Sequence, residues 1–124
     1  MVAVYMLPEF AKWVEKEKIT NDILLNTASE VINGLHDGDL GAHCYKKRLA
    51  IKGKGKRSGA RTIVSYRIND FLIYVYAYAK NQKSNLSPKE QKALKLYSKE
   101  VLMKLSADSI KRLINERQLI EVVI

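Results

Sequence analysis

The sequence predicts an α+β fold: a small, mainly antiparallel β-sheet packed by an N-terminal helical hairpin and a C-terminal helix. Three observations predict it. Apolar residues recur at spacings of three and four between Ile23 and Leu35, the signature of one helical face. From Tyr45 the pattern turns to alternation, rich in β-branched and aromatic residues, and keeps that character to Ala79. Ser87-Pro88-Lys89-Glu90 then opens a second helical region with a capping box and a proline at the first helical position. The 124 residues are expected to form one domain over 1–124, large enough to bury a core without disulfides or metals.

The elements follow in chain order. Val2 to Leu7 is short, apolar and closed by Pro8, which suits a strand. Pro8 begins a first helix carrying Phe10, Trp13 and Val14. Thr20 caps a second, with Ile23, Leu24, Ala28, Val31, Ile32 and Leu35 on its apolar face, and Gly34 with the polar stretch His36 to Gly41 ends it. The strands expected next are a first from Tyr45, a second over Ala60 to Ile68 and a third over Phe71 to Ala79, with Asn69 and Asp70 as the turn between the last two. Gly53, Gly55 and Gly59, interleaved with bases, read as a mobile loop between the first two strands. Leu94, Tyr97, Val101, Leu102 and Leu105 give the helix after Pro88 an apolar face. Ser106 caps a last short helix to about Arg117, and Gln118 to Ile124 is apolar enough for a closing strand or a docked tail.

Charge is concentrated in one run. Between Asp39 and Asp70 there is no acid, while Lys46, Lys47, Arg48, Lys52, Lys54, Lys56, Arg57, Arg61 and Arg67 supply nine of the chain's 22 bases. Removing these nine leaves 13 bases against 13 acids, so the net charge of +9 is assigned to this run. Such a cluster repels itself and opposes compaction, and it points to a polyanionic partner, nucleic acid first. Cys44 stands alone, so no internal disulfide and no cysteine-based metal cluster is expected. The N-terminal apolar run is far short of a membrane span and lacks the form of a signal peptide, so a cytoplasmic protein with no membrane partner is expected.

Alternation along the strands sorts the basic run by face. Lys46 and Arg48 share one face of the first strand, with Tyr45, Leu49 and Ile51 opposite; Arg61, Ile63, Ser65 and Arg67 share one face of the second; Tyr74, Tyr76, Tyr78 and Lys80 share one face of the third. If the polar faces coincide, Lys46, Arg48, Arg61, Arg67, Tyr78 and Lys80 line one surface with cations for phosphates and rings for bases. Plainer readings stand beside this one: a charge run is ordinarily a solvated face, and the tyrosine stripe fits a core as well as a platform. No P-loop order, serine-histidine-acid set, paired carboxylates or zinc-ligand spacing is present, and no cofactor or metal is expected.

Two stretches carry a family resemblance. KGKGKRSGAR from Lys52 to Arg61, with the strand hairpin after it, and YAYAKNQKSNLS from Tyr76 to Ser87 resemble the RelE/HigB branch of bacterial type II toxins, within the RelE/ParE superfamily. The resemblance runs from the N-terminal helices through the helix at Pro88. It implies a small sheet packed by helices, and a metal-independent endonuclease that cuts mRNA on translating ribosomes. Its expected partners are mRNA, the ribosome and a helix-turn-helix antitoxin encoded beside it. Metal-free RNA cleavage needs a base for the 2′-OH, a stabiliser of the phosphorane charge and an acid for the leaving 5′ oxygen. Like-charge repulsion in a cationic cluster lowers the pKa of a lysine there and suits it to proton transfer. The resemblance assigns Arg61 to the scissile phosphate and Lys80 to proton transfer or phosphate contact. Tyr78 and Asn81 fall to stacking and positioning, and Lys54, Lys56 and Arg57 to the RNA or ribosomal RNA backbone; the charge run itself adds Lys46, Lys47, Arg48, Lys52 and Arg67 as expected RNA contacts. Two rival readings share the charge: a ParE-like inhibitor of DNA gyrase, and a non-catalytic RNA-binding module.

Overall fold

The computed structural model describes residues 2–51, 55–79 and 85–124, with the backbone alone for 51 and 55–58. Lys52, Lys54, Lys80 and Asn81 lie outside the described residues. Among the described residues, four α-helices and one six-stranded sheet make an α+β fold, and the expected architecture is the one observed.

Chain order builds it as follows. β1 (Ala3–Met6) leads into α1 (Pro8–Glu17), where Pro8 occupies the first turn and loses no hydrogen bond. α1 stops at Lys18, which takes the left-handed conformation at φ 56° and donates its N–H to Glu15 and Val14 carbonyls. α2 (Asn21–Ile32) starts at Thr20, whose Oγ1 accepts from the Ile23 N–H at 3.3 Å. It ends in a Schellman-type turn: Gly34 sits at φ +87°, and the Leu35 N–H reaches back to the Glu30 carbonyl at 2.8 Å. No atom lies within 4 Å of a Cβ added at Gly34, so the backbone angle alone sets the cost of a side chain there. Gly34→Ala is expected to lower stability by about 1 kcal/mol, read as a shift in urea midpoint with unchanged slope.

The sheet order is β2-β3-β4-β5-β1-β6. β2 (Gly38–Gly41), β3 (Cys44–Ile51), β4 (Gly55–Arg67) and β5 (Phe71–Ala79) form an antiparallel meander, β1 joins β5 in parallel, and β6 (Ile120–Glu121) closes the far edge antiparallel to β1. The β4–β5 hairpin turns at Asn69, a non-glycine residue at φ 65° that asparagine tolerates. Two sequence expectations change here. β4 begins at Gly55 rather than Ala60, so Gly55 and Gly59 belong to a strand and not to a loop. The polar stretch after α2 holds β2, whose pairing with β3 supplies the order that its own residues, GDLG, do not favour.

Each face of the sheet carries its own core. α1 and α2 pack on one face through Phe10, Val14, Leu24, Ala28 and Val31 against Leu49, Val64, Leu72 and Tyr74. The other face is covered by α3 (Pro88–Glu100), the 3-10 turn Leu102–Lys104 and α4 (Ala107–Asn115). α3 starts with the expected capping box: Ser87 Oγ accepts from the Glu90 N–H at 3.1 Å and the Ser87 N–H donates to Glu90 Oε1 at 3.0 Å. Its buried residue is Ser98 rather than Tyr97 or Val101, which stay exposed, because the Ser98 hydroxyl pairs with Ser65 Oγ at 2.6 Å and donates to the Ala42 carbonyl at 2.8 Å. The C-terminal stretch is both strand and docked tail. Val122 continues from β6 into the α1/α2 core, and Asn21 Nδ2 donates to the Val123 carbonyl at 2.6 Å.

Candidate functional site

The face of the sheet that meets α3 also gathers the cations. Arg48 of β3 lies directly opposite Arg61 of β4, and Arg61 directly opposite Tyr78 of β5, so the three side chains stand on one rung. The next rung is Lys46, Ile63 and Tyr76. Two guanidinium groups at directly opposed positions repel, which is unfavourable unless something anionic joins them. Arg61 is 8 % exposed and Arg48 is exposed, so the rung offers one buried guanidinium and one at the surface. Part of the Arg48 charge is met by Asp37, whose carboxylate accepts from the Arg48 backbone N–H at 2.8 Å and lies 3.7 Å from its Nε. Lys46 Nζ donates to Asn85 Oδ1 at 3.0 Å, which ties this rung to the segment just before α3.

Beside the cations the floor is apolar. Cys44, Ile63, Tyr78 and Leu86 are buried together, with Tyr76 and Leu94 packed at their margin. The Tyr76 and Tyr78 rings lie 6.1 Å apart at 33°. Tyr78 is 4 % exposed and Tyr76 is half-buried, so of the two only Tyr76 presents a ring at the surface. Burial, reinforced by Asp39 and opposed by Lys95, pushes the Cys44 thiol up to about 11. The native protein is expected to resist iodoacetamide at pH 8 and to react once unfolded in urea; equal labelling of both forms contradicts that burial.

Tyr74 leaves the stripe the alternation assigned it. β5 carries a bulge: Ile63 pairs with Tyr76 but Val64 pairs with Tyr74, which leaves Val75 as the extra residue. The bulge reverses the faces along β5, sending Tyr74 to the α1/α2 core, where its ring stacks on Phe10 at 4.8 Å and its hydroxyl donates to the Leu24 carbonyl at 2.6 Å. Burial raises the Tyr74 hydroxyl well above the usual phenol range.

Two bases expected to contact RNA also have other partners. Lys47 points to the α1/α2 face, 6 % exposed, with its Nζ 3.3 Å from Glu30 Oε1 and donating to the Leu35 carbonyl at 2.8 Å. The alternation that puts Lys46 and Arg48 on the α3 face requires this of the residue between them. Arg67 is at the far end of β4 from Arg61. Its Nε donates to Asp70 Oδ2 at 2.8 Å and its Nη1 to the Met103 and Leu105 carbonyls at 3.1 and 2.7 Å, with the guanidinium 4.2 Å above the Phe71 ring. Arg67 thus fastens the segment between α3 and α4 to the sheet. Lys56 and Arg57 belong to the first residues of β4, and Ala79, the last residue of β5, pairs with Ala60 beside Arg61. Asp37 and Asn85, the partners of Arg48 and Lys46, were not singled out in the sequence, because neither lies in a basic or aromatic run.

The fold and this face define a small α+β protein with cations gathered on a sheet surface flanked by helices. Residues 2–122 match the family described as RelE toxin of RelE / RelB toxin-antitoxin system. The chain belongs to that family, and it is a toxin of a toxin-antitoxin system with an antitoxin as its partner. A search of curated proteins found no match. Among the described residues, no helix is long and apolar enough to cross a membrane.

Proposed function

We propose that this toxin is a ribosome-dependent endoribonuclease that stops translation by cutting mRNA. The observation that carries the reading is the Arg48–Arg61–Tyr78 rung in a chain of the RelE family. A scissile phosphate placed over that rung meets the Arg61 guanidinium, whose planar fork matches two phosphate oxygens, and Arg48 at its rim. The substrate's 2′-OH attacks the adjacent phosphorus. The O2′–P bond forms as the P–O5′ bond breaks, leaving a 2′,3′-cyclic phosphate and a 5′-OH end. Charge grows on the equatorial phosphate oxygens in the transition state, and cations already fixed there by β3 and β4 stabilise it without reorganisation. Lys80, next after β5, takes the proton-transfer role, and Asn81, Lys52, Lys54, Lys56 and Arg57 hold the RNA backbone. Tyr76, rather than the covered Tyr78, is the ring available to a base.

Purified toxin added to a translating bacterial extract should produce new 5′-OH ends within the coding region, and intact mRNA at stoichiometric toxin would refute the reading. The antitoxin is expected to be a helix-turn-helix protein encoded next to the toxin, with an acidic segment that covers the cationic face. Titration calorimetry against the neighbouring gene product tests this, and no heat of binding at micromolar concentration counts against it.

A further inference from the structure

Outside the basic run the chain's 13 bases and 13 acids balance in number, yet the fold gathers a second local concentration of cations. α3 carries Lys89, Lys92, Lys95 and Lys99 against Glu90 and Glu100. Both acids are engaged: Glu90 closes the capping box, and Glu100 accepts from Lys104 Nζ at 2.9 Å. Lys92, Lys95 and Lys99 fall at i, i+3 and i+7, one stripe about 10 Å long at 1.5 Å rise per residue. All three are exposed, and none forms an ion pair among the described residues.

The stripe is held in place. Ser98, 1 % exposed and bonded to Ser65 and to the Ala42 carbonyl, fixes the rotation of α3 over the sheet. The turn it meets, Gly41-Ala42-His43, has three successive residues at positive φ, and the Lys95 stem lies against its glycine: a Cβ at Gly41 would come within 3.2 Å of Lys95 Cε. Between helix and turn lies an open groove of about 350 Å³ lined by Ala42, Gln91, Lys92, Lys95, Leu96 and Lys99. At the start of α3 the Lys46–Asn85 bond joins this side of the molecule to the cationic rung.

We infer that the α3 lysine stripe is a second RNA contact, which grips the phosphate backbone of an RNA helix outside the cleavage cleft; this role rests on the RNA-directed reading above. Lysine ammoniums are point charges that take phosphates without reading sequence, and the groove lining holds no aromatic ring on which an unpaired base would stack. A backbone-only site of this kind suits double-stranded RNA rather than a splayed single strand. An acidic protein helix is the poorer fit, because Leu96 is the one exposed large apolar residue in this lining, too little for a helix seam. The apolar groove of about 550 Å³ on the other flank of α3, lined by Leu7, Val75, Val101, Leu105 and Leu119 among others, has that character instead.

The test compares the parent chain with Lys92→Gln/Lys95→Gln/Lys99→Gln and with the matching triple arginine variant, using a labelled RNA hairpin of about 16 base pairs. Fluorescence anisotropy is read over a range of salt. The glutamine variant should bind about 10- to 100-fold more weakly at low salt, and its log K against log [salt] slope should flatten by about 2 to 3. The arginine variant should bind like the parent, and thermal melts of all three should coincide because the residues are exposed. Duplex affinity and slope unchanged in the glutamine variant overturn the inference, as does a loss confined to an acidic polyglutamate peptide. The translating extract separates the two readings. Cut mRNA with a duplex affinity indifferent to the stripe removes the inference and leaves the nuclease; stripe-dependent duplex binding with uncut mRNA does the reverse.

Discussion

Arg61→Ala should reduce mRNA cleavage in a translating extract by about 10²- to 10³-fold, the effect of removing one preorganised donor from a developing oxyanion. On the proposed reading, β4 sets the residue for that role. Arg61 faces Arg48 on one side and Tyr78 on the other, and burial to 8 % keeps its guanidinium from swinging into solvent. Arg61→Lys retains the charge but loses the planar fork, so it should fall between parent and alanine variant. Because a buried position is altered, circular dichroism and melting of both variants must show the parent fold. With the fold intact, cleavage within about threefold of the parent would remove Arg61 from the chemistry.

Phe10→Ala is the substitution expected to cost the most stability, about 3–5 kcal/mol. Phe10 is 1 % exposed and stacks on Tyr74 at 4.8 Å, with Trp13 tilted against it at 5.5 Å. Its removal opens a hole under α1 against a sheet whose strands are fixed by pairing on both sides, so the site collapses poorly. For a chain of this length the loss corresponds to a fall in Tm of about 10–20 °C. A shift below about 3 °C would mean that α1 does not pack as described.

The sequence made visible whatever depends on neighbours in the chain. Thr20, Ser87 with Glu90, and Ser106 cap the helices that begin after them, because a cap is a bond between residues two or three apart. Alternation placed Lys46, Arg48 and Arg61 on one side, because a strand's faces follow from parity alone. The features that were not legible depend on pairing across the chain. The bulge at Val75 inverted the parity that put Tyr74 beside Tyr76, and no residue there announces it. β2 is a strand because β3 gives it partners. Arg67 looked like one more base in the run until Asp70 and the Met103 and Leu105 carbonyls came to it from the fold. Lys92, Lys95 and Lys99 were hidden by counting charge along the chain, where nearby acids cancel them, rather than around the helix, where they do not.

Mapping 5′ ends on a defined mRNA, once naked and once engaged by translating ribosomes, tests the central claim most directly. On the proposed reading, the cationic rung supplies phosphate stabilisation and the ribosome holds the RNA in line for 2′-OH attack. The account therefore predicts discrete new 5′-OH ends on the ribosome-bound message, their loss with Arg61→Ala, and little or no cutting of naked RNA. Ends that appear equally on naked RNA, or that persist at parental level with Arg61→Ala, would contradict it.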